Sequence, residues 1–190
     1  MPAMPATRSL DGVDLPAPGV WEIDPSHAEV AFIGRHFMLT KVRGRFTGVS
    51  GAIVVADDVT ESTLEVDIDM GSVSSGDQTR DDHLRSADFF DVENQPTATL
   101  RSTNVTRTGT TGTVTGDLTI KGVTRPVTLQ VEYLGHVRDP WGGDRAVFSA
   151  HGTLNREDWG LTWNMILDNG GLVVSKEIRL EVEVEAVRKP

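Results

Sequence analysis

The chain reads as an all-β protein, an antiparallel barrel of about eight strands with one short helix between strands and a long loop or hairpin before the last. Three observations predict this class. Leu64, Val66, Ile68 and Met70 alternate with Thr63, Glu65, Asp67 and Asp69, and Ile178, Leu180, Val182 and Val184 alternate with Arg179, Glu181, Glu183 and Glu185. That two-residue period marks strands with one face buried and one wet. Only one stretch, Arg80 to Val92, has a helical look, so nothing supplies the strand–helix alternation of a parallel sheet. Turn-forming Gly, Pro and Asp clusters separate the strands at hairpin spacing.

Met1 to Gly19 carries four prolines and no sustained apolar run, and is expected to be a disordered tail before a barrel domain spanning 20–188. Trp21-Glu22-Ile23-Asp24 opens the ordered part and Pro25 interrupts it. A strand from about Ala28 to Phe37 follows, apolar on both faces (Val30 and Phe32; Ala31 and Ile33), so its outer side is expected to be covered by the helix or a second subunit. Gly44, Gly48 and Gly51 punctuate the extended stretch Val42 to Val55, as bends and barrel corners require. Ser75 and Gln78 have the spacing of a capping box at a helix start, with Leu84 and Ala87 on one face and Phe89 and Phe90 where the helix gives way. Strands are then expected near Thr97–Thr106, Thr113–Ile120, Val127–Tyr133 and Arg145–Leu154, the last pair joined through Asp139-Pro140-Trp141-Gly142-Gly143-Asp144. Asn155 to Ser175 is too long for a simple turn. It holds Trp159, Trp163, Met165 and Ile166 and a tight-turn signal at Asn169-Gly170, which predicts a small hairpin at one mouth of the barrel.

At 190 residues the chain suffices for one domain with its own core. It contains no cysteine, which removes disulfides, thiolate metal sites and thiol nucleophiles. A net charge of −10 argues against nucleic acid and anionic membrane surfaces as partners. No segment approaches the apolar length of a membrane span, and the N-terminus lacks the apolar core of a secretory signal, so a cytoplasmic location is expected.

The chemistry-bearing residues are sparse. Five histidines are present, none in a recognisable metal spacing, and no nucleophile elbow or phosphate-binding glycine loop occurs; no cofactor is expected. Asp81-Asp82-His83 is the densest titratable cluster, but consecutive helical residues point apart. One stretch departs from the acidic background: Arg35, Lys41, Arg43 and Arg45 interleave with Phe32, Phe37, Met38 and Phe46. An apolar cavity with basic groups at its mouth suits an amphiphile with a long tail and an anionic head. A basic edge paired with the acidic surface accounts for the same residues.

Five segments, in order, resemble the YceI-like proteins. They are Trp21 to His27 with Phe32 and His36; Val42-Arg43-Gly44-Arg45-Phe46 with Gly51; Arg80 to Leu84 with Asp88 to Val92; Gly116 to Thr124; and Asn155-Arg156-Glu157-Asp158-Trp159-Gly160. Trp159 stands where phenylalanine is more usual in that family. The resemblance runs from about Trp21 to Ala186 and implies a lipocalin-like barrel whose elongated apolar cavity takes a polyisoprenoid or similar amphiphile, and it makes homodimers plausible.

Combined, these readings point to a non-enzymatic carrier or store for a long isoprenoid lipid, of quinone or polyprenyl phosphate type. Candidate contacts are Phe32, His36, Phe37 and Phe46 on the early strands, with Arg43 or Arg45 facing the head group. Leu84, Phe89 and Phe90 beside the helix, and Trp163 and Met165 in the long connection, complete the set. Two alternatives stand beside it: an enzyme acting on such a lipid with His36 or His83 as acid or base, and a barrel whose core is simply filled.

Overall fold

The computed structural model describes residues 6–190. In chain order the strands are β1 (Thr7–Leu10), β2 (Val13–Pro16), β3 (Gly19–His36), β4 (Thr40–Phe46), β5 (Val49–Val55), β6 (Thr63–Asp69) and β7 (Val73–Ser74). Helix α1 (Gln78–Arg85) follows, then β8 (Thr97–Thr108), β9 (Thr111–Ile120), β10 (Val123–Arg138), β11 (Asp144–Asn155) and β12 (Glu177–Arg188).

The long strand β3 organises the rest. One of its edges carries β12; the other carries β5 at its start and β4 at its end. Antiparallel pairing then runs β5–β6–β8–β9–β10–β11–β12 and returns to β3, from Arg179 opposite Ile33 to Arg188 opposite Trp21, so the sheet closes as an eight-stranded barrel. Closure pairs both edges of the eight barrel strands and, among the described residues, leaves free edges only on β4, on the two-residue β7 and on the N-terminal hairpin, which limits edge-to-edge association. At Gly51 the backbone has φ of 139°, and a Cβ there would lie 2.0 Å from the Glu65 carbonyl oxygen. That position needs glycine where the barrel wall bends.

The N-terminal expectation is corrected. Residues 7–16 form a hairpin turning on Asp11-Gly12, both with positive φ; Leu15 is buried in a cluster with Trp21, Val55 and Ala186, and Ala17 is buried beside the hairpin's end. The Trp21 indole Nε1 donates to the Ala17 carbonyl at 3.0 Å, fixing the hairpin beside the barrel. Met1–Pro5, the start of the expected tail, lie outside the described residues.

Within this chain the outer side of β3 is covered by side chains of the neighbouring strands and not by the helix. Ala31 is fully buried, yet no helix lies over it. Arg43, whose register partner is Ile33, reaches across β3 to Glu181, whose partner is Ala31, with Nη1 2.5 Å from the carboxylate. Glu29 accepts from both Arg43 and Arg45, and Arg179 joins at Glu181. The arginine stems roof the strand while their charged ends stay wet. A second ionic knot lies at the opposite end, where Arg145 binds Asp24, Asp139 and Glu185 and ties the β10–β11 turn to β3 and β12.

Helix α1 starts at Asp77, not at Ser75: the Asp77 carboxylate accepts from the Arg80 amide at 2.8 Å. Ser75 instead donates through its amide and hydroxyl to the buried Asp81. Arg85 donates to the carbonyls of Gly71 and Val73, so helix and neighbouring turn move as one unit. The helix stops at Arg85, and Leu84 and Arg85 carbonyls accept the amides of Phe90 and Val92.

Candidate ligand-binding site

Inward-facing residues alternate along every strand, and they do not fill the barrel. Two apolar chambers lie end to end. The larger, about 610 Å³, sits beneath α1 and is walled by Phe32, Phe46, Leu84, Phe89, Phe90 and Trp163 among others. The smaller, about 220 Å³, lies toward the β8–β9 turn and the N-terminal hairpin, against Leu15, Val114, Val131, Tyr133 and Phe148. Val30, Ile68, Leu118 and Leu180 line both, so they form a waist between the chambers.

The wall of the large chamber is aromatic. Phe46 packs 5.4 Å from Phe32 and 5.5 Å from Phe90, and Phe89 packs 5.4 Å from Trp163. Phe32 lies over Gly44, where a Cβ would fall 2.2 Å from its ring. Trp159 is buried and donates its Nε1 proton to the Leu118 carbonyl at 2.8 Å; it plugs the barrel end, while Trp163 lines the chamber. The long connection before β12 is shaped by Asn164, which donates to the Val174 carbonyl and accepts the amides of Val173 and Val174. The expected small hairpin is present in it, with Ile166 bridged to Leu172 around Gly170.

Of the residues singled out above, Phe32, His36, Phe46, Leu84, Phe89, Phe90 and Trp163 meet at the large chamber. Four do not. Arg43 and Arg45 point outward, because the period that turns Val42, Gly44 and Phe46 inward turns Lys41, Arg43 and Arg45 to solvent. Glu181 and Glu29 hold the Arg43 guanidinium above its ordinary range. Phe37 caps the β3–β4 turn, half exposed and stacked 3.8 Å from the His36 ring, and Met165 is exposed in the facing loop. Asp81, Asp82 and His83 diverge as their spacing requires, to Ser75, Gln78 and Asp88 respectively. Among the described residues no three His, Asp or Glu side chains gather as a metal site.

Two cavity residues escaped the sequence reading, Arg80 and Arg156. Arg156 is 3% exposed and donates only to backbone carbonyls: Nε to Ser175 at 2.9 Å, Nη1 to Leu161 at 2.5 Å and Nη2 to Val174 at 3.5 Å. Burial pushes its guanidinium down, against an opposing pull from Glu157. The visible signal is its place in a turn bounded by Asn155, which caps Glu157, and Gly160 in the left-handed region.

The chain is thus a closed antiparallel β-barrel around a two-chambered apolar cavity. The chain belongs to the YceI-like domain family, whose model matches residues 21–186. UPF0312 protein PSPA7_0523 of Pseudomonas paraeruginosa is 37% identical over 164 residues, covering 86% of this chain and 83% of the relative. BcnA of Burkholderia cenocepacia superposes with a TM-score of 0.75 at 22% identity, over 86% of this chain and 99% of that one. A polyisoprenoid-binding domain from Saccharophagus degradans superposes with a TM-score of 0.66 at 16% identity, over 91% of this chain and all of that one. At those identities both structures speak to the fold.

Proposed function

We propose that the protein binds one long-chain, isoprenoid-type amphiphile lengthwise in the barrel, tail toward the small chamber and head beneath α1, for carriage, storage or presentation. The observation that supports this most directly is the shared waist: two apolar chambers in line suit a slender chain better than a compact ligand. The larger chamber alone falls in the range of ~300–1,000 Å³ usual for small-molecule sites. Burying ~20 apolar carbons at ~0.8 kcal/mol each gives a gross gain of roughly 16 kcal/mol, against an association cost of ~4–15 kcal/mol. Few polar contacts are then needed, in keeping with a lining that is mainly hydrocarbon, its charged residues confined to the larger chamber's Arg35, Asp77, Arg80 and Arg156 and to Arg107 at the smaller. Polyisoprenoid binding by the Saccharophagus degradans domain of the same fold adds support for that ligand class.

The test is organic extraction of the purified protein followed by mass spectrometry. A polyprenyl-chain lipid near one equivalent is expected; an extract without lipid, from protein that also fails to take up a polyprenol on incubation, overturns the reading.

A further inference from the structure

The large chamber has a charge pattern opposite to that of the whole chain. Against a net charge of −10, the ionisable residues lining it are Arg35, Arg80, Arg156, His36 and His83, with Asp77 the lone acid. Asp77 is already engaged in capping α1. None of the three guanidiniums forms an ion pair with a carboxylate among the described residues, although Glu157, next in the chain, acts on Arg156 at longer range. Arg35 donates to the Leu39 carbonyl, Arg80 to the hydroxyl and carbonyl of Ser75, and Arg156 to the three carbonyls named above. By contrast Arg43, Arg45, Arg101, Arg107 and Arg145 each hold a carboxylate. Of the three only Arg156 is buried; neutral carbonyls satisfy its hydrogen bonds but do not balance its charge, and buried charges are ordinarily paired. A guanidinium has five N–H donors, and the three bonds to carbonyls leave two of those of Arg156 unused.

From this we infer that the chamber mouth is an oxyanion receptor: the amphiphile it takes carries a carboxylate or phosphate head, seated against Arg156 with Arg35 and Arg80 at the rim. This rests on the reading of the barrel as an amphiphile site and adds the head-group class. It disfavours a neutral quinone as the best ligand.

Twelve-carbon probes separate the possibilities. Dodecyl phosphate, laurate and dodecan-1-ol share a tail, and each is titrated below its micellar concentration against delipidated protein carrying the neutral reporter N-phenyl-1-naphthylamine. At least one anionic probe should displace the reporter at tenfold or more lower concentration than the alcohol, and which one does so identifies the oxyanion. The ratio should shrink severalfold in R35Q/R80Q, whose rim positions are exposed, and on raising salt. R156Q should abolish it; if that variant melts early, the rim double variant decides. Equal displacement by all three probes overturns the oxyanion receptor and leaves the amphiphile reading standing. Displacement by none overturns both. Inorganic phosphate alone should leave the reporter bound and the melting temperature unchanged; if it matches dodecyl phosphate, the site serves a free anion and the head-group assignment is wrong.

Discussion

Narrowing the waist should separate long tails from short ones. Val30 lies between the chambers, and Val30→Phe puts a ring where a threaded chain must pass. The small chamber measures about 220 Å³. At the ~24 cal/mol per Å³ found for buried cavities, filling it is worth at most about 5 kcal/mol. Even a third of that corresponds to roughly tenfold in affinity. A ten-carbon alcohol, which the large chamber can hold alone, should bind wild type and Val30→Phe within about threefold by the usual tolerance for a small repacking. An eighteen-carbon alcohol should lose about tenfold or more, and its advantage over the short one should collapse. Reporter displacement measures both, and Ile68→Phe, which narrows the same waist from another strand, repeats the test. Equal losses for both lengths, in both variants, would mean that the tail does not pass between Val30 and Ile68.

Three further outcomes are expected. Gly44→Ala should cost about 1–3 kcal/mol, because the new methyl meets the Phe32 ring and drives it into the chamber; denaturant unfolding checks this, and unchanged stability contradicts the packing. Phe90→Ala should cost about 3–5 kcal/mol, since the ring is buried against Phe32 and Phe46, and a loss under ~1 kcal/mol by the same assay would assign it to a mobile lid. Ser26 first, then Arg145, holds the Asp24 carboxyl far below the usual range. A depressed folded value means stability present above the unfolded pKa of ~3.9 and lost as pH falls below it. Wild type should therefore lose melting temperature more steeply than Asp24→Asn between pH 5 and 3; parallel curves in thermal melts at about those pH values refute the linkage.

Period-2 alternation in β6 and β12, the lone helix and the turn residues were enough to read the barrel, because those signals are local. The N-terminal hairpin was hidden by its prolines: Pro16 ends a strand where it needs no amide partner, and Asp11-Gly12 was the turn signal to weigh against them. Arg43 and Arg45 were legible in principle. Grouping them with Phe46 by nearness in sequence ignores that odd and even positions of one strand face opposite ways. For Arg156 the flanking turn between Asn155 and Gly160 was the one visible signal; its burial comes from Leu161, Val174 and Ser175 folding back over it, which no periodicity announces. The helix cap was misplaced by the spacing of Ser75 and Gln78: Ser75 is taken up by Asp81 six residues on, and Asp77 caps the helix instead.

The seam between β3 and β12 governs when the binding site comes into existence. It joins Trp21 to Arg188 and Ile33 to Arg179, residues from opposite ends of the ordered chain. Every other neighbouring pair in the ring spans a far shorter stretch of chain, at most the 42 residues from Arg145 to Val187, so a nascent chain can form the meander from β8 to β11 long before it can close. Until β12 emerges and docks, β3 and β11 both present unpaired edges, and the chambers are an open apolar trough that any hydrophobic segment can enter. Such long-range pairing places folding on the millisecond-to-second scale expected of high contact order, not the microseconds of helical bundles. Trimming β12 should therefore cost far more than the twelve residues it removes: it converts a closed container into an aggregation-prone open sheet.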